Sequence, residues 1–161
     1  HTDNTNESPK GVDIVGVYNN RLYFFEIKDF RNRPGVDGNR MIDNKDRLKN
    51  DANELMREIA LKVKETVACI VGVKNIDQSN NEFYKTYFNH LSAPPEVVAW
   101  IEMSPLNSTN NNSTNKRRRQ SGFGAYQNKL KEKLCWMKAS VLVCNKETST
   151  LTNVEVQSTA Y

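Results

Sequence analysis

Residues 11–30 read GVDIVGVYNNRLYFFEIKDF, and the fold turns on how this stretch is paired. Residues 12–18 and 21–30 are rich in Val, Ile, Tyr and Phe, the composition of strands. Asn19-Asn20 lies between them. Asn tolerates positive φ, so the dipeptide suits a two-residue hairpin turn. Tyr18 then faces Arg21, Val17 faces Leu22 and Ile14 faces Phe25. Carried one step further, the register sets Asp13 against Glu26, with Lys28 two positions on and on the same face. Opposed side chains have Cβ atoms roughly 5 Å apart, so three charged groups converge at the end of the hairpin away from the turn. Two opposed carboxylates repel. Lys28 alone offsets this as a structural ion-pair cluster. A divalent cation offsets it better, because hard oxygen ligands with room for water and a phosphate oxygen suit Mg²⁺ or Mn²⁺. The plain alternative is a solvated E-x-K pair on an exposed strand face.

Outward from the hairpin, residues 31–45 are polar with Pro34, Gly35 and Gly38, and read as a loop. Residues 46–66 repeat apolar positions at spacings of three and four (Leu48, Ala52, Leu55, Met56, Ile59, Ala60, Val63), which predicts a helix. VACIVGV at 67–73 reads as a short buried strand, and 82–91 as a short helix. VVAWIEM at 97–103 is another strand after Pro94-Pro95. Residues 104–122 are low in complexity and polar and end in Lys116, Arg117, Arg118 and Arg119, which predicts a mobile loop. A second amphipathic helix is expected over 123–138, carried by Phe123, Tyr126, Leu130, Leu134 and Met137. Strands follow at 139–145 and 153–161. There is no internal repeat. This order predicts an α/β domain with a mixed central β-sheet flanked by helices.

At 161 residues the chain fits a single domain, 1–161, large enough to bury a core without staples. Apolar residues at 37% and charged residues at 26% are a soluble, globular balance. The net charge of +4 permits a nucleic-acid partner without requiring one. Three cysteines, Cys69, Cys135 and Cys144, form no CxxC pair. Cys69 and Cys144 fall in apolar strand-like runs, so they read as buried reduced thiols of a cytoplasmic protein. No apolar run is long enough to span a bilayer, and no signal peptide is visible, so no membrane partner is expected. The Asn-x-Ser/Thr triplets at Asn107 and Asn112 follow from composition in an Asn/Ser/Thr-rich tract. Trp100 and Trp136 are expected in the core, and His90 at the surface without a triad around it.

In Asp13 of GVDIVGV and in Glu26 and Lys28 of FFEIKDF, the chain resembles the PD-(D/E)xK nuclease superfamily, whose fold is restriction-endonuclease-like. The resemblance covers the element order from about 12 to 143. Its residue-level support is those three positions. It implies a metal-dependent nuclease that hydrolyses DNA phosphodiester bonds by in-line attack of water activated at Mg²⁺ or Mn²⁺. Asp13, Glu26 and the main-chain carbonyl of Ile27 would then be metal ligands, and Asp13, Glu26 and Lys28 the catalytic set. Pairing into a homodimer is one arrangement such nucleases use to cut both strands. The chain departs from the pattern in two ways. No helix precedes the first strand, Glu7 being a weak substitute in a polar segment. No Pro precedes Asp13. Since the sequence begins at His1 rather than Met, an upstream helix with another acidic ligand is an expectation.

Basic side chains that would track DNA phosphates are Arg31 and Arg33 (with Arg40) in the loop, and Lys45 and Lys49 (with Arg47) at the start of the long helix. Lys116, Arg117, Arg118 and Arg119 form the second basic group. The same charges also read as ordinary wet surface. A catalytically inactive nucleic-acid-binding or interaction domain of the same fold is the rival to the nuclease, and a structural ion-pair cluster the third reading.

Overall fold

The computed structural model describes residues 10–31, 52–74, 82–103 and 113–151. Strand β1 (Ile14–Tyr18) and strand β2 (Arg21–Phe30) form the expected hairpin. They pair antiparallel with Ile14 opposite Phe25, Val17 opposite Leu22 and Tyr18 opposite Arg21, the register the turn length imposes. Asn19 and Asn20 take φ of 47° and 60°. Both central residues are therefore left-handed, as a turn that matches the twist of its strands requires.

Helix α1 (Ala52–Lys74) follows, then helix α2 (Glu82–His90) and strand β3 (Glu96–Met103). Helix α3 (Ser113–Lys133), a 3-10 turn (Cys135–Met137) and strand β4 (Ser140–Cys144) complete the described elements. The sheet order is β1-β2-β3-β4, with β2-β3 and β3-β4 parallel. Both parallel crossovers therefore step the same way across the sheet. Crossovers of one hand stepping one way place their helices on one face.

The core agrees with that rule. Leu22, Phe24, Val97, Ala99, Ile101, Val141 and Val143 gather with Met56, Ile59, Val63 and Ile70 of α1 and with Phe123, Leu130 and Leu134 of α3. The opposite face carries a smaller cluster, Val98, Trp100 and Cys144 with Tyr23, Phe25, Leu142 and Leu151. The chain is thus α/β with a mixed four-stranded sheet. Among the described residues the helices lie on one side of it, not on both.

Two expectations about elements are corrected. VACIVGV is not a strand but the last turns of α1. Its apolar run is too short for periodicity to separate strand from helix, and no Gly-Pro or Asn-Gly break precedes it. As helix it extends the buried series Met56, Ile59, Val63 with Ile70. The tract expected as a loop to residue 122 is helical from Ser113. Lys, Arg and Gln are good helix formers, so a polar composition there does not entail loop. Residues 104–112 and the strand expected at 153–161 lie outside the described residues.

Smaller departures concern single side chains. Cys69 is exposed on α1, and Cys135 is also exposed. Cys144 alone is buried, and its burial pushes the thiol up to about 11. Trp100 is buried as expected, whereas Trp136 is exposed. No helix among the described residues is long and apolar enough to cross a membrane.

Candidate functional site

The charged end of the hairpin forms where β1 leaves the sheet. Tyr18 and Arg21 close a two-residue turn, so the odd-numbered residues of β2 turn their backbone groups toward β1. Continued ladder pairing would have the N–H of Val12 donate to the carbonyl of Ile27. Instead, that N–H donates to Thr66 Oγ1 on α1 at 2.9 Å, and the Thr66 hydroxyl donates to the carbonyl of Lys62 at 2.8 Å. Just upstream, the N–H of Lys10 donates to Glu65 Oε2 at 2.6 Å. Helix α1 thus draws residues 10–12 off the ladder. The Asp13 carboxylate fills the gap, Oδ2 accepting from the N–H of Ile27 at 2.7 Å. The Ile27 carbonyl, on the same side of the strand, loses the donor a longer β1 would supply.

Glu26 occupies the middle of the helix-covered face of β2, opposite Ala99 of β3. Its side chain is only 1% exposed. Burying a carboxylate costs several kcal/mol unless it is paired, order of magnitude. Here Oε1 accepts from Lys62 Nζ at 2.6 Å and lies 3.1 Å from Lys28 Nζ. Glu26 Oε2 is buried with no hydrogen-bond partner among the described residues. Lys28 Nζ also donates to Glu58 Oε1 at 2.7 Å. Lys62 Nζ stands 3.9 Å from Asp13 Oδ1. One ammonium from α1 therefore spans the two carboxylates whose repulsion the sequence posed as a problem.

The structure brings Glu26 and Lys28 into contact, and Asp13 reaches them through Lys62 and the Ile27 amide. Glu58 and Lys62 belong to the same cluster and were not among the expected site residues. Their only sequence signal is an i, i+4 acid–base pair flanking the Ile59 and Val63 stripe. Such pairs are common, and nothing in the sequence says which flank of α1 meets the end of β2. Burial alone would lower the Lys28 ammonium. Its hydrogen bonds to Glu58 and Glu26 and their charges outweigh that and hold it above its ordinary value.

In kind, the donors fit a hard divalent cation. They are carboxylate oxygens of Asp13 and Glu26, one of them buried and unsatisfied, beside a main-chain carbonyl. In number they are few, since no group of three or more His, Cys, Asp or Glu is placed to hold a metal among the described residues.

The expected DNA contacts divide. Arg31 is held by its neighbour Asp29, Nε donating to Oδ1 at 2.8 Å and Nη2 to Oδ2 at 2.7 Å. That bidentate pair neutralises much of the charge it would offer a phosphate. Arg33, Lys45 and Lys49 lie outside the described residues. Lys116, Arg117, Arg118 and Arg119 have helical backbone near the start of α3, while their side chains lie outside the described part.

In comparisons with known proteins, no family model, no curated protein and no solved structure matches this chain.

Proposed function

We propose that the chain is a metal-dependent nuclease domain of the restriction-endonuclease-like class, hydrolysing DNA phosphodiester bonds at the end of the β1–β2 hairpin. One observation carries the reading. Glu26 is a carboxylate buried in the sheet's helix-covered face with one oxygen unsatisfied among the described residues, an arrangement that costs stability. Asp13, Glu26 and the Ile27 carbonyl would hold Mg²⁺ or Mn²⁺. When bound, that ion supplies positive charge against the developing charge of the phosphoryl transition state and acidifies water.

Lys28 has a definite role in this reading. Its hydrogen bonds to Glu58 and Glu26 hold it above its ordinary value, which favours the ammonium. Anchored by Glu58, it would donate hydrogen bonds to a phosphate oxygen or orient the attacking water. Four successive cations near the start of α3, with no acidic residue in its first turn, oppose the helix dipole. A polyanion running past would offset this.

The second reading is a catalytically inactive nucleic-acid-binding or interaction domain of the same fold. The observation favouring it is that Lys62 and Lys28 both pair directly with Glu26. Calorimetric titration of Mn²⁺ into the wild type and Glu26→Gln, with plasmid nicking in parallel, separates the two. The nuclease reading expects binding and Mn²⁺-dependent nicking, both lost in the variant. Binding without nicking would favour the inactive domain. Absence of binding would leave a structural ion-pair cluster.

A further inference from the structure

We propose that the Lys62 ammonium and a divalent cation compete for one position between Asp13 and Glu26, so that loading the site requires Lys62 to swing out. This rests on the reading of Asp13 and Glu26 as cation ligands. Lys62 Nζ lies 2.6 Å from Glu26 Oε1 and 3.9 Å from Asp13 Oδ1, so it stands between the two carboxylates that would have to close on a bridging cation. An ion of higher charge has no room there while Lys62 stays.

Charge balance points the same way. Asp13, Glu26 and Glu58 against Lys28 and Lys62 leave one net negative charge. Withdrawal of Lys62 leaves two, the complement of a divalent ion. The ammonium also leaves a demand unmet, because it satisfies Oε1 while Oε2 has no partner among the described residues. A cation held by both oxygens of Glu26 would answer it.

The two lysines are not equivalent. Lys28 is held between Glu26 and Glu58, at 3.1 and 2.7 Å. Lys62 has Glu26 Oε1 at 2.6 Å but Asp13 Oδ1 only at 3.9 Å, and a flexible four-carbon stem gives its head a path to solvent. Its place beside Glu26 has a physical reason, since Glu26 buried with too little counter-charge would destabilise the fold. Lys62 is thus a positioning residue that keeps Glu26 paired at the expense of cation affinity.

The test is Mn²⁺ titration by calorimetry of the wild type, Lys62→Met, Lys62→Arg and Glu26→Gln. Removing the ammonium that competes for the position is expected to tighten binding roughly tenfold or more in Lys62→Met. Lys62→Arg, which keeps the charge, should bind no tighter than the wild type. Lys62→Met that folds only once Mn²⁺ is added gives the same answer. A second measurement needs no variant. Mass-spectrometric footprinting of the wild type with an amine-reactive reagent should show Lys62 labelled several-fold faster when Mn²⁺ is present. Lys62→Met binding Mn²⁺ no tighter than the wild type, with Lys62 labelling indifferent to Mn²⁺, overturns the competition. The ligand reading would survive that result provided Glu26→Gln abolishes binding. Binding that persists in Glu26→Gln, or is absent from every form, overturns both.

Discussion

Glu26 is satisfied on one oxygen and stranded on the other, and the residues around it divide the consequences. Lys28 takes its share through two charge-assisted hydrogen bonds, to Glu26 and to Glu58. Its pKa is higher in the fold than in the unfolded chain. A cation raised in this way contributes stability that is fully present below its unfolded value, about 10.4, and is lost as pH rises through the folded one. Lys28→Met should therefore cost about 1–2 kcal/mol in urea unfolding at pH 7, and the gap to the wild type should hold to about pH 9 and narrow above roughly pH 10.5. A gap that instead closed between pH 6 and 8 would mean that Lys28 titrates near neutrality, and would restore it as a candidate general base. The site was half legible in the sequence. Glu26 and Lys28 follow from strand alternation, whereas Asp13, set against Glu26 by the hairpin sum, lies beyond the paired register and meets the Ile27 amide. Lys62 and Glu58 did not, because pairing across a helix–strand contact leaves no local pattern.

At the scale of elements, α1 carries the largest disagreement between pattern and structure. VACIVGV has the β-branched composition of a strand, yet helix wins there. Ile70 extends the buried stripe of Met56, Ile59 and Val63, whereas Val71 is exposed. This yields a discriminating trio. Ile70→Ala should cost about 2–4 kcal/mol. Val71→Ala should fall within about 0.5 kcal/mol of the wild type. Gly72→Ala should stabilise by roughly 0.5–1 kcal/mol, since a Cβ there meets nothing within 4 Å. Thermal or urea denaturation of the three variants decides the matter. Loss of stability in Gly72→Ala would contradict a helix running through residue 72. The hairpin, by contrast, was read with its register intact, because Asn19-Asn20 fixes both turn length and pairing. The start of α3 was misread for a different reason. Lys116 to Arg119 and Gln120 form helix well but include no apolar residue that a hydrophobic period would detect.

For the whole molecule, the strand order carries consequences that no single element shows. An order of β1-β2-β3-β4 with both crossovers on one side leaves the far face of the sheet to be covered by something other than helices α1 to α3. That face holds Tyr23 and Phe25, stacked with ring centroids 5.9 Å apart, beside Val98, Trp100 and Cys144. Trp100 is nevertheless 6% exposed, and its Nε1 donates to Glu102 Oε1 at 2.7 Å. Trp136, in the 3-10 turn after α3, is 54% exposed. The chain has two tryptophans, so fluorescence reports one from each environment. Acrylamide quenching should resolve an accessible and a protected component. Trp136→Phe should remove the accessible one, shift emission to the blue and change stability by less than about 0.5 kcal/mol. Trp100→Ala should cost about 3–5 kcal/mol, because it removes the largest side chain of the second cluster and leaves a cavity. Free quenching of Trp100 in the native protein would mean that this face stands open to solvent, and that the single helical layer supports the whole core.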